Sequence, residues 1–266
     1  MLYGCSDSNQ MKTLGENEYY IGERLASVSA DADSTFWIGG ESGKIWHVDG
    51  NKVSAYITGT DRIYKIATRP HASGDTTCWL GGRNSGFQKW RLHKGKMQHE
   101  QTYGILFKDK EYSAYDFAIT PNGIFVATSQ GLYLQRNDNS FSLLYPALDS
   151  PTAKAGMPHI IYNLCPYGQN YLFAASIDGL LRIDLKSGKI SRLHKGEKVQ
   201  YVTVYGDEVC SLSGKKIYIE DASGKSIKTI DLPFIPRFYY RVGKVHYILR
   251  SHSMVISEDL KHFITI

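Results

Sequence analysis

The sequence predicts an all-β fold, a β-propeller of six four-stranded blades. A short pattern recurs six times, in which an apolar β-run ends in a turn of small residues and a second β-run follows. Successive copies start roughly 37 to 48 residues apart, the period of a four-stranded propeller blade. No segment has a sustained apolar period of about 3.6 residues, which disfavours helices. The six copies are FWIGGESGKIWHVD (36–49), CWLGGRNSGFQKW (78–90), FVATSQGLYLQR (125–136), FAASIDGLLRID (173–184), CSLSGKKIYIED (210–221) and YILRSHSMVISED (247–259).

Each repeat divides into four short runs, which we label a to d in chain order. The turns between runs are rich in Gly, Asn, Asp and Ser, residues that tolerate tight or left-handed backbone. The predicted strands are 25–30, 35–40, 44–48 and 52–58; 63–69, 77–82, 87–92 and 97–103; 115–120, 123–129, 131–137 and 141–147; 161–167, 171–176, 179–185 and 190–196; 200–206, 208–214, 216–222 and 226–233; 237–243, 245–251, 254–260 and 262–266.

The residue types fit these four positions in a blade. The b strands, such as FWIGG and FAAS, are apolar at successive residues because neighbouring blades cover both faces. Their ends are small because inner strands crowd towards the propeller axis. The c strands alternate, as in 180–185, where Arg182 and Asp184 are expected to face outward. The d strands, such as 97–102, are the most polar, as expected for an outer edge in water.

The predicted domains are an N-terminal tether over 1–22 and a β-propeller over 23–266. The run 18–21 either adds an edge strand or is the remnant of a seventh blade. Six blades is the prediction, and the alternatives are seven blades or an incomplete ring from a truncated chain.

The charge pattern gives no sign of a nucleic-acid partner. The chain has 31 basic and 26 acidic residues, a formal net charge of +5, and the basic residues are scattered. The densest stretches, 94–96 and 195–198, are interpreted as solvated hairpin tips. No apolar run reaches about eighteen residues, so no transmembrane helix is predicted.

The four cysteines divide into two kinds. Cys78, Cys165 and Cys210 lie inside apolar strands of different blades, so we expect buried free thiols and neither a disulfide nor a metal site. Cys5 differs, since 2–8 (LYGCSDS) resembles a bacterial lipobox. The apolar segment that should precede it is missing, so either the start is truncated or misplaced, or the match is chance. Cys5 is the candidate lipidation site and the one predicted link to a membrane.

A binding surface is predicted where the b–c turns open beside the long connections from d strands to the next a strands. Two such crossovers, 104–111 and 149–159, are long, and long connections often carry function. Mixed polar tips around a channel suit a polar ligand or a peptide. The candidate ligand-binding residues are Glu41, Arg83, Asn84, Gln130, Asp178, Lys215, Arg250 and His252.

The fourth repeat resembles a known family. Residues 161–164 (IYNL) and 171–189 (YLFAASIDGLLRIDLKSGK) are similar to the two-component regulator propeller repeat, and FWIGG (36–40) and GLY (131–133) match parts of it. The resemblance covers most of the chain from about residue 23, and it is strongest in repeats one to four and weak in the last two. It implies an extracytoplasmic sensor region of a bacterial regulator, in the periplasm or at the cell surface, often linked to glycan sensing. The predicted function is therefore a non-catalytic propeller that binds a glycan, a peptide or a protein partner, with no cofactor.

The alternative is a sialidase-like or other carbohydrate-active propeller enzyme. Residues 257–263 (SEDLKHF) resemble an Asp-box turn, with Phe263 where Trp is usual, and one such turn is structural. Sialidase chemistry needs three convergent arginines, a Tyr–Glu pair and an acid. The arginines available are Arg24, Arg62, Arg83, Arg237, Arg241 and Arg250, and no motif locates them. The histidines show no metal-ligand spacing, and His47, His93, His99 and His194 are expected to be exposed on c or d strands or their tips.

Overall fold

The computed structural model describes residues 12–15, 18–20, 23–32, 35–50, 52–107, 110–135, 140–146, 159–250 and 253–265. Regular structure in these ranges is β-strand, and none of them contains a helix long and apolar enough to cross a bilayer. The chain forms two compact units, Met1–Asp116 and Phe117–Ile266.

The first unit contains two four-stranded antiparallel sheets and two short strand pairs. One strand pair precedes the sheets and consists of β1 (Lys12–Gly15) and β2 (Glu18–Tyr20). Sheet 1 comprises β3 (Leu25–Ala32), β4 (Thr35–Gly40), β5 (Lys44–Asp49) and β6 (Lys52–Ile57). Sheet 2 comprises β7 (Ile63–Pro70), β8 (Thr76–Gly82), β9 (Phe87–His93) and β10 (Lys96–Tyr103). The second pair is β11 (Leu106–Phe107) with β12 (Lys110–Glu111).

The second unit contains four further four-stranded sheets, the first of which begins at the unit boundary. Sheet 3 comprises β13 (Asp116–Thr120), β14 (Gly123–Thr128), β15 (Gly131–Gln135) and β16 (Phe141–Tyr145). Sheet 4 comprises β17 (Ile161–Tyr167), β18 (Tyr171–Ser176), β19 (Gly179–Asp184) and β20 (Ile190–Leu193). Sheet 5 comprises β21 (Val199–Tyr205), β22 (Glu208–Ser213), β23 (Lys216–Asp221) and β24 (Ser226–Asp231). Sheet 6 comprises β25 (Phe238–Val242), β26 (Val245–Leu249), β27 (Met254–Ser257) and β28 (Ile264–Thr265).

Each sheet is one predicted repeat, and its strands pair in chain order. The all-β prediction and the prediction of four strands in each of six repeats are therefore confirmed for the described residues. In every sheet the four strands in chain order are the predicted a, b, c and d strands.

In sheets 1, 2, 4 and 5 the b strand is the most deeply buried of the four, as its composition predicts. Every residue of β8, whose sequence is TTCWLGG, is buried. Its glycine end meets another backbone, since a Cβ on Gly81 would lie 2.7 Å from the carbonyl oxygen of Ala114. The small b-strand end thus has a physical cause in this close approach. By contrast, five of the six residues of the outer strand β24 are exposed, as expected at a sheet edge in water.

Successive sheets within a unit are joined by apolar cores. Trp37, Ile66 and Leu80 are buried between sheets 1 and 2, and Phe173 with Val202 are buried between sheets 4 and 5. Close packing of such side chains is the main stabilising term of the fold. Two of the strand cysteines belong to these cores, because Cys78 and Cys210 are buried, whereas Cys165 is only half-buried.

Aspartates organise the c–d turns of sheets 4, 5 and 6. The Oδ1 atom of Asp184 accepts the N–H groups of Lys186 and Ser187, and Asp221 repeats this arrangement with its own turn. In the Asp-box-like segment, the N–H groups of Lys261 and His262 both donate to Asp259. Hydrogen bonds hold the pKa of all three carboxyls below the ordinary range, mainly from the backbone for Asp184 and Asp259 and mainly from the Ser223 hydroxyl for Asp221. The Asp259 carboxylate therefore accepts hydrogen bonds from the backbone of its own turn.

Side chains cap the free edges of the first strands in the second unit. The Tyr205 hydroxyl accepts the N–H of Arg241 at 2.9 Å and donates to the carbonyl of Tyr239 at 3.3 Å. The Asn163 amide oxygen accepts the N–H of Val202 at 2.7 Å. Each of these hydrogen bonds satisfies a backbone N–H or C=O group on the outer side of a first strand, where no neighbouring strand is paired. The strand of another molecule therefore cannot pair with that group.

The structure departs from the sequence-based description in three places. The 104–111 crossover, for which the sequence predicts no strand, contains the β11–β12 strand pair. The Glu18–Tyr20 strand pairs with β1 in a separate two-stranded sheet. The stretch 195–198 is not a hairpin tip, because it joins β20 to β21 as a crossover between sheets 4 and 5. Of the other predicted crossover, 149–159, only His159 lies within the described residues.

Candidate functional site

The described candidate residues all lie in or beside the turns between the second and third strands of their sheets. The positions are Glu41 after β4, Arg83 and Asn84 after β8, Gln130 after β14, Asp178 after β18, Lys215 after β22 and Arg250 after β26. His252 and Cys5 lie outside the described residues. Whether these positions bind a ligand stays a prediction, and their surroundings are given for each unit separately.

In the first unit, the Glu41 side chain is paired with Arg62, whereas the Arg83 side chain is exposed to solvent. The Glu41 carboxylate lies 2.9 Å from the guanidinium of Arg62. That guanidinium also covers the ring of Tyr64 at 5.2 Å. The Arg83 backbone N–H donates to the Arg62 carbonyl, while the Arg83 side chain is exposed. Arg83 is therefore the side chain of this group best placed to meet a ligand.

Asn84 has a structural role in the same turn. Its φ is 52°, in the left-handed region that asparagine tolerates better than most residues. Its N–H donates to the Ser113 hydroxyl at 3.2 Å, which ties the turn to the connection before β13. The residue type at this position is explained by the backbone alone.

In the second unit, Asp178 lies between a buried histidine and the 194–198 crossover. Its carboxylate is 3.1 Å from Nδ1 of His159, whose side chain is 6% exposed. Its backbone carbonyl accepts the N–H of Gly196 at 3.3 Å. Tyr145 packs edge-on against His159 at 6.0 Å. Asp178 thus connects a b–c turn to the crossover, which is the juxtaposition expected of a binding end.

Glu197 fixes the crossover to sheet 5. Its Oε2 atom accepts hydrogen bonds from the Ser213 hydroxyl at 3.0 Å and the Tyr218 hydroxyl at 2.9 Å. The bond from Tyr218 lowers the pKa of Glu197. Desolvation together with that bond raises the pKa of Tyr218 to about 12. Near neutral pH the pair is therefore a carboxylate held by a neutral phenol.

His194 lies against Tyr218 and forms an ion pair with Glu220 when its ring is protonated. Its ring stacks on Tyr218 at 4.0 Å, with 22° between the planes. Its Nε2 atom lies 3.2 Å from Oε1 of Glu220, whose side chain is 5% exposed. Contact with Glu220 raises the pKa of His194 above its ordinary value, and desolvation lowers it by less. Oε2 of Glu220 is buried and has no hydrogen-bond partner in the described part of the chain.

We call the set Asp178, His194, Glu197, Ser213, Tyr218 and Glu220 the crossover site. Sequence reasoning found Asp178 and missed the other members. The expectation that His194 is exposed is wrong, because its side chain is 16% exposed. A usable signal was present: Ser211 and Ser213 on β22 and Tyr218 and Glu220 on β23 are polar residues at alternate positions of a buried hairpin. Such a polar stripe on a blade face marks a buried network.

Two members of the crossover site, Glu197 and Tyr218, each keep one protonation state near neutral pH. With the pKa of Tyr218 raised and that of Glu197 lowered, neither group exchanges protons readily near pH 7. Among the arginines of the second unit, Arg241 is paired with Glu208 at 2.7 Å near the a–b turn of sheet 6. The described residues contain no group of three or more His, Cys, Asp or Glu side chains that could hold a metal ion.

A second concave feature lies between sheets 3 and 4. It is a crevice of about 420 Å³ with an apolar floor that includes Phe125, Leu134 and Ile183. Asn122 closes one side through a hydrogen bond to the carbonyl of Leu185, and the Asp184 turn forms the rim. The volume lies within the range of small-ligand pockets, but none of the predicted site residues reaches it.

Comparison with known proteins establishes the fold. No protein-family model and no curated protein matches the chain. Among solved structures, the computationally designed Ika8 protein matches with a TM-score of 0.57 and 11% identity over 84% of this chain and 67% of the other. BamB from Moraxella catarrhalis matches with a TM-score of 0.55 and 11% identity over 93% and 95% of the two chains.

The fold is a six-bladed β-propeller. The fold prediction is confirmed, and the six sheets are its blades. No family match supports the resemblance to two-component regulator propellers, so that assignment stays a prediction. As many as 1115 chains of known structure match, and a fold shared so widely does not select a function.

Proposed function

We propose that this protein is a non-catalytic binding propeller whose ligand, a glycan or a peptide, sits where b–c turns and crossovers meet. The propeller fold is consistent with a binding or scaffold role. The observation that carries the proposal is the crossover site, where Glu197 ties the 194–198 crossover to Ser213 and Tyr218. A surface loop held this firmly presents its polar groups in a fixed geometry, which lowers the entropic cost of binding.

We further propose an extracytoplasmic role for the protein, as the sensor or scaffold part of a bacterial system. This rests on the repeat resemblance of 161–189 and on the lipobox-like stretch around Cys5, through which a lipid would anchor the chain. The sialidase-like alternative has less support. Its one sequence cue, the 257–263 turn, is accounted for by the hydrogen bonds of Asp259 to its own backbone.

Screening the purified protein on glycan and peptide arrays tests the binding proposal. We expect a ligand whose affinity falls about tenfold or more in Glu197→Gln, because the substitution weakens the hydrogen bonds that hold the 194–198 crossover in place, and a hydrogen bond to a charged group contributes about 1.5–3 kcal/mol. The matched control is Glu258→Gln, which removes the same charge from an exposed position beyond β27, after the third strand of sheet 6. That variant should bind like the native chain.

Two arginine variants extend the test to the predicted turns. If the b–c turns contribute to binding, a ligand of the first unit should bind more weakly to Arg83→Ala, and a ligand of the second unit should bind more weakly to Arg250→Ala. Empty arrays, or a ligand indifferent to Glu197, Arg83 and Arg250 alike, would overturn the proposal.

A further inference from the structure

One end of the second unit is markedly basic. At the b–c turns and crossovers of sheets 4, 5 and 6, exposed cations outnumber carboxylates. The cations are Arg192, Lys195, Lys198, Lys215, Lys216, Arg237 and Arg250, and the carboxylates are Asp178, Glu197 and Asp231. At the described a–b and c–d turns of the same sheets, lysines alternate with aspartates and largely cancel. Such asymmetry steers an anion to one end of a molecule.

The basic side chains lie on segments that contact one another. Glu197 on the crossover bonds Ser213, directly before the turn that carries Lys215. The Lys215 carbonyl accepts the N–H of Leu232 at 2.8 Å, and this hydrogen bond joins the Lys215 turn to the 232–237 connection. The Arg237 N–H then donates to the Leu249 carbonyl at 2.7 Å, beside Arg250. A continuous chain of contacts thus links the lysines of sheet 5 to the arginines of sheet 6.

These cations are available to a ligand. Among the described residues, Lys195, Lys198, Lys215 and Lys216 form no ion pair. The nearby Glu197 is engaged through Oε2 by Ser213 and Tyr218. A partner with several carboxylates would supply the missing counter-charges, since clustered cations are a recurring means of recognising acidic motifs.

Three of the aromatic rings at this end are covered, which favours a peptide over a sugar or a nucleic acid, while Phe238 beside Arg237 is 52% exposed. Sugars and single-stranded nucleic acids are both held by stacking on open aromatic faces. Here the Tyr218 face is covered by His194 at 4.0 Å. Lys198 lies over Tyr162 at 5.0 Å and Arg250 over Phe234 at 4.9 Å. Carboxylates that pair with lysines need no such face.

We propose that this basic end, centred on Lys195, Lys198, Lys215 and Lys216, binds an acidic peptide segment of a partner protein. The inference deepens the proposed binding function, because it names the ligand class of the same end of the second unit. Exposed ion pairs are individually weak, so recognition depends on several lysines acting together.

Fluorescence anisotropy with a labelled Glu-Ser repeat peptide, against its Gln-Ser counterpart, tests the inference on the full chain. We expect the Glu-Ser peptide alone to bind, more weakly as salt rises. The variant K195Q/K198Q/K215Q/K216Q should lose about tenfold or more in affinity. The control K186Q/K189Q/K225Q/K244Q removes the same charge from exposed positions at the other end, and it should stay within about twofold. Circular dichroism checks that both variants fold.

Four outcomes would overturn the inference. They are no binding of the Glu-Ser peptide, equal binding of the Gln-Ser peptide, equal losses in the two quadruple variants, or tighter lysine-dependent binding of polygalacturonate or single-stranded DNA. A glycan found on the arrays and lost in Glu197→Gln would leave the proposed function standing while the acidic-peptide inference fails. The two claims can therefore fail separately.

Discussion

Replacing Phe173 with alanine should lower the free energy of unfolding by about 3–5 kcal/mol. Phe173 lies within β18, is 0% exposed, and packs with Val199, Val202 and Val209 in the core between sheets 4 and 5. Truncation removes the apolar surface that the ring buries and leaves a cavity that neighbouring strands cannot fill, because their positions are set by sheet hydrogen bonds. Urea unfolding followed by far-UV circular dichroism measures the change.

Phe238→Ala is the matched control for that substitution. Phe238 is also on a strand of the second unit, but it is 52% exposed. The same chemical change should cost no more than about 1 kcal/mol there, because most of the ring is already in water. Equal losses in the two variants would contradict the core described between sheets 4 and 5.

Gly179→Ala should destabilise the protein by about 2–3 kcal/mol or more, through backbone strain and a steric clash. Gly179 opens β19 with a φ of 135°, a conformation that residues with a Cβ rarely adopt. A Cβ at this position would also collide with the carbonyl oxygen of Leu193 on β20. Relief of the collision would move β20, and with it the crossover that begins at His194. A thermal melt should show a fall in Tm of about 5–10 °C.

Gly206→Ala is the control for Gly179→Ala, because it also replaces a glycine of positive φ but causes no steric clash. Gly206 has a φ of 58° and open space around the position of a Cβ. Its substitution should cost only about 1–2 kcal/mol, the ordinary penalty of the left-handed region. A Gly179→Ala variant as stable as Gly206→Ala would show that β19 and β20 do not approach as closely as described.

The blade architecture could be predicted because each repeat contains the complete pattern of its own four strands and turns. A buried b strand such as TTCWLGG must be apolar throughout, and a c strand such as GLLRID must alternate. The turn positions of Glu41, Arg83, Asp178 and Lys215 follow directly from that alternation of strands and turns. None of these inferences requires knowledge of which repeats touch.

The contacts of the crossover site could not be predicted, because they join residues of different repeats. Glu197 lies in a stretch that looks like a solvated turn, and its partners Ser213 and Tyr218 lie in the next repeat. The burial of His194 likewise depends on Glu220, which the sequence places 26 positions away. Contacts between blades depend on how two sheets pack, and repeat patterns carry little information about that packing.

The Asp-box-like turn is an intermediate case. Its sequence, 257–263, predicted a local turn, and Asp259 indeed accepts the N–H groups of Lys261 and His262. The turns at Asp184 and Asp221 have the same aspartate arrangement but no Asp-box sequence. The motif therefore indicates a c–d turn whose backbone N–H groups donate to an aspartate. Any short turn in this fold must find hydrogen-bond partners for such groups.

NMR titration of the His194 ring tests most directly whether the 194–198 crossover is a built site or a solvated loop. Its pKa should lie above the ordinary value of 6.5 and return towards it in Glu220→Gln, while Glu258→Gln leaves it unchanged. Because the folded-state pKa is raised, the stabilisation from the ion pair is complete below pH 6.5 and is lost as pH rises through the folded-state pKa. A His194 pKa at or below 6.5, or one indifferent to Glu220→Gln, would contradict the crossover site.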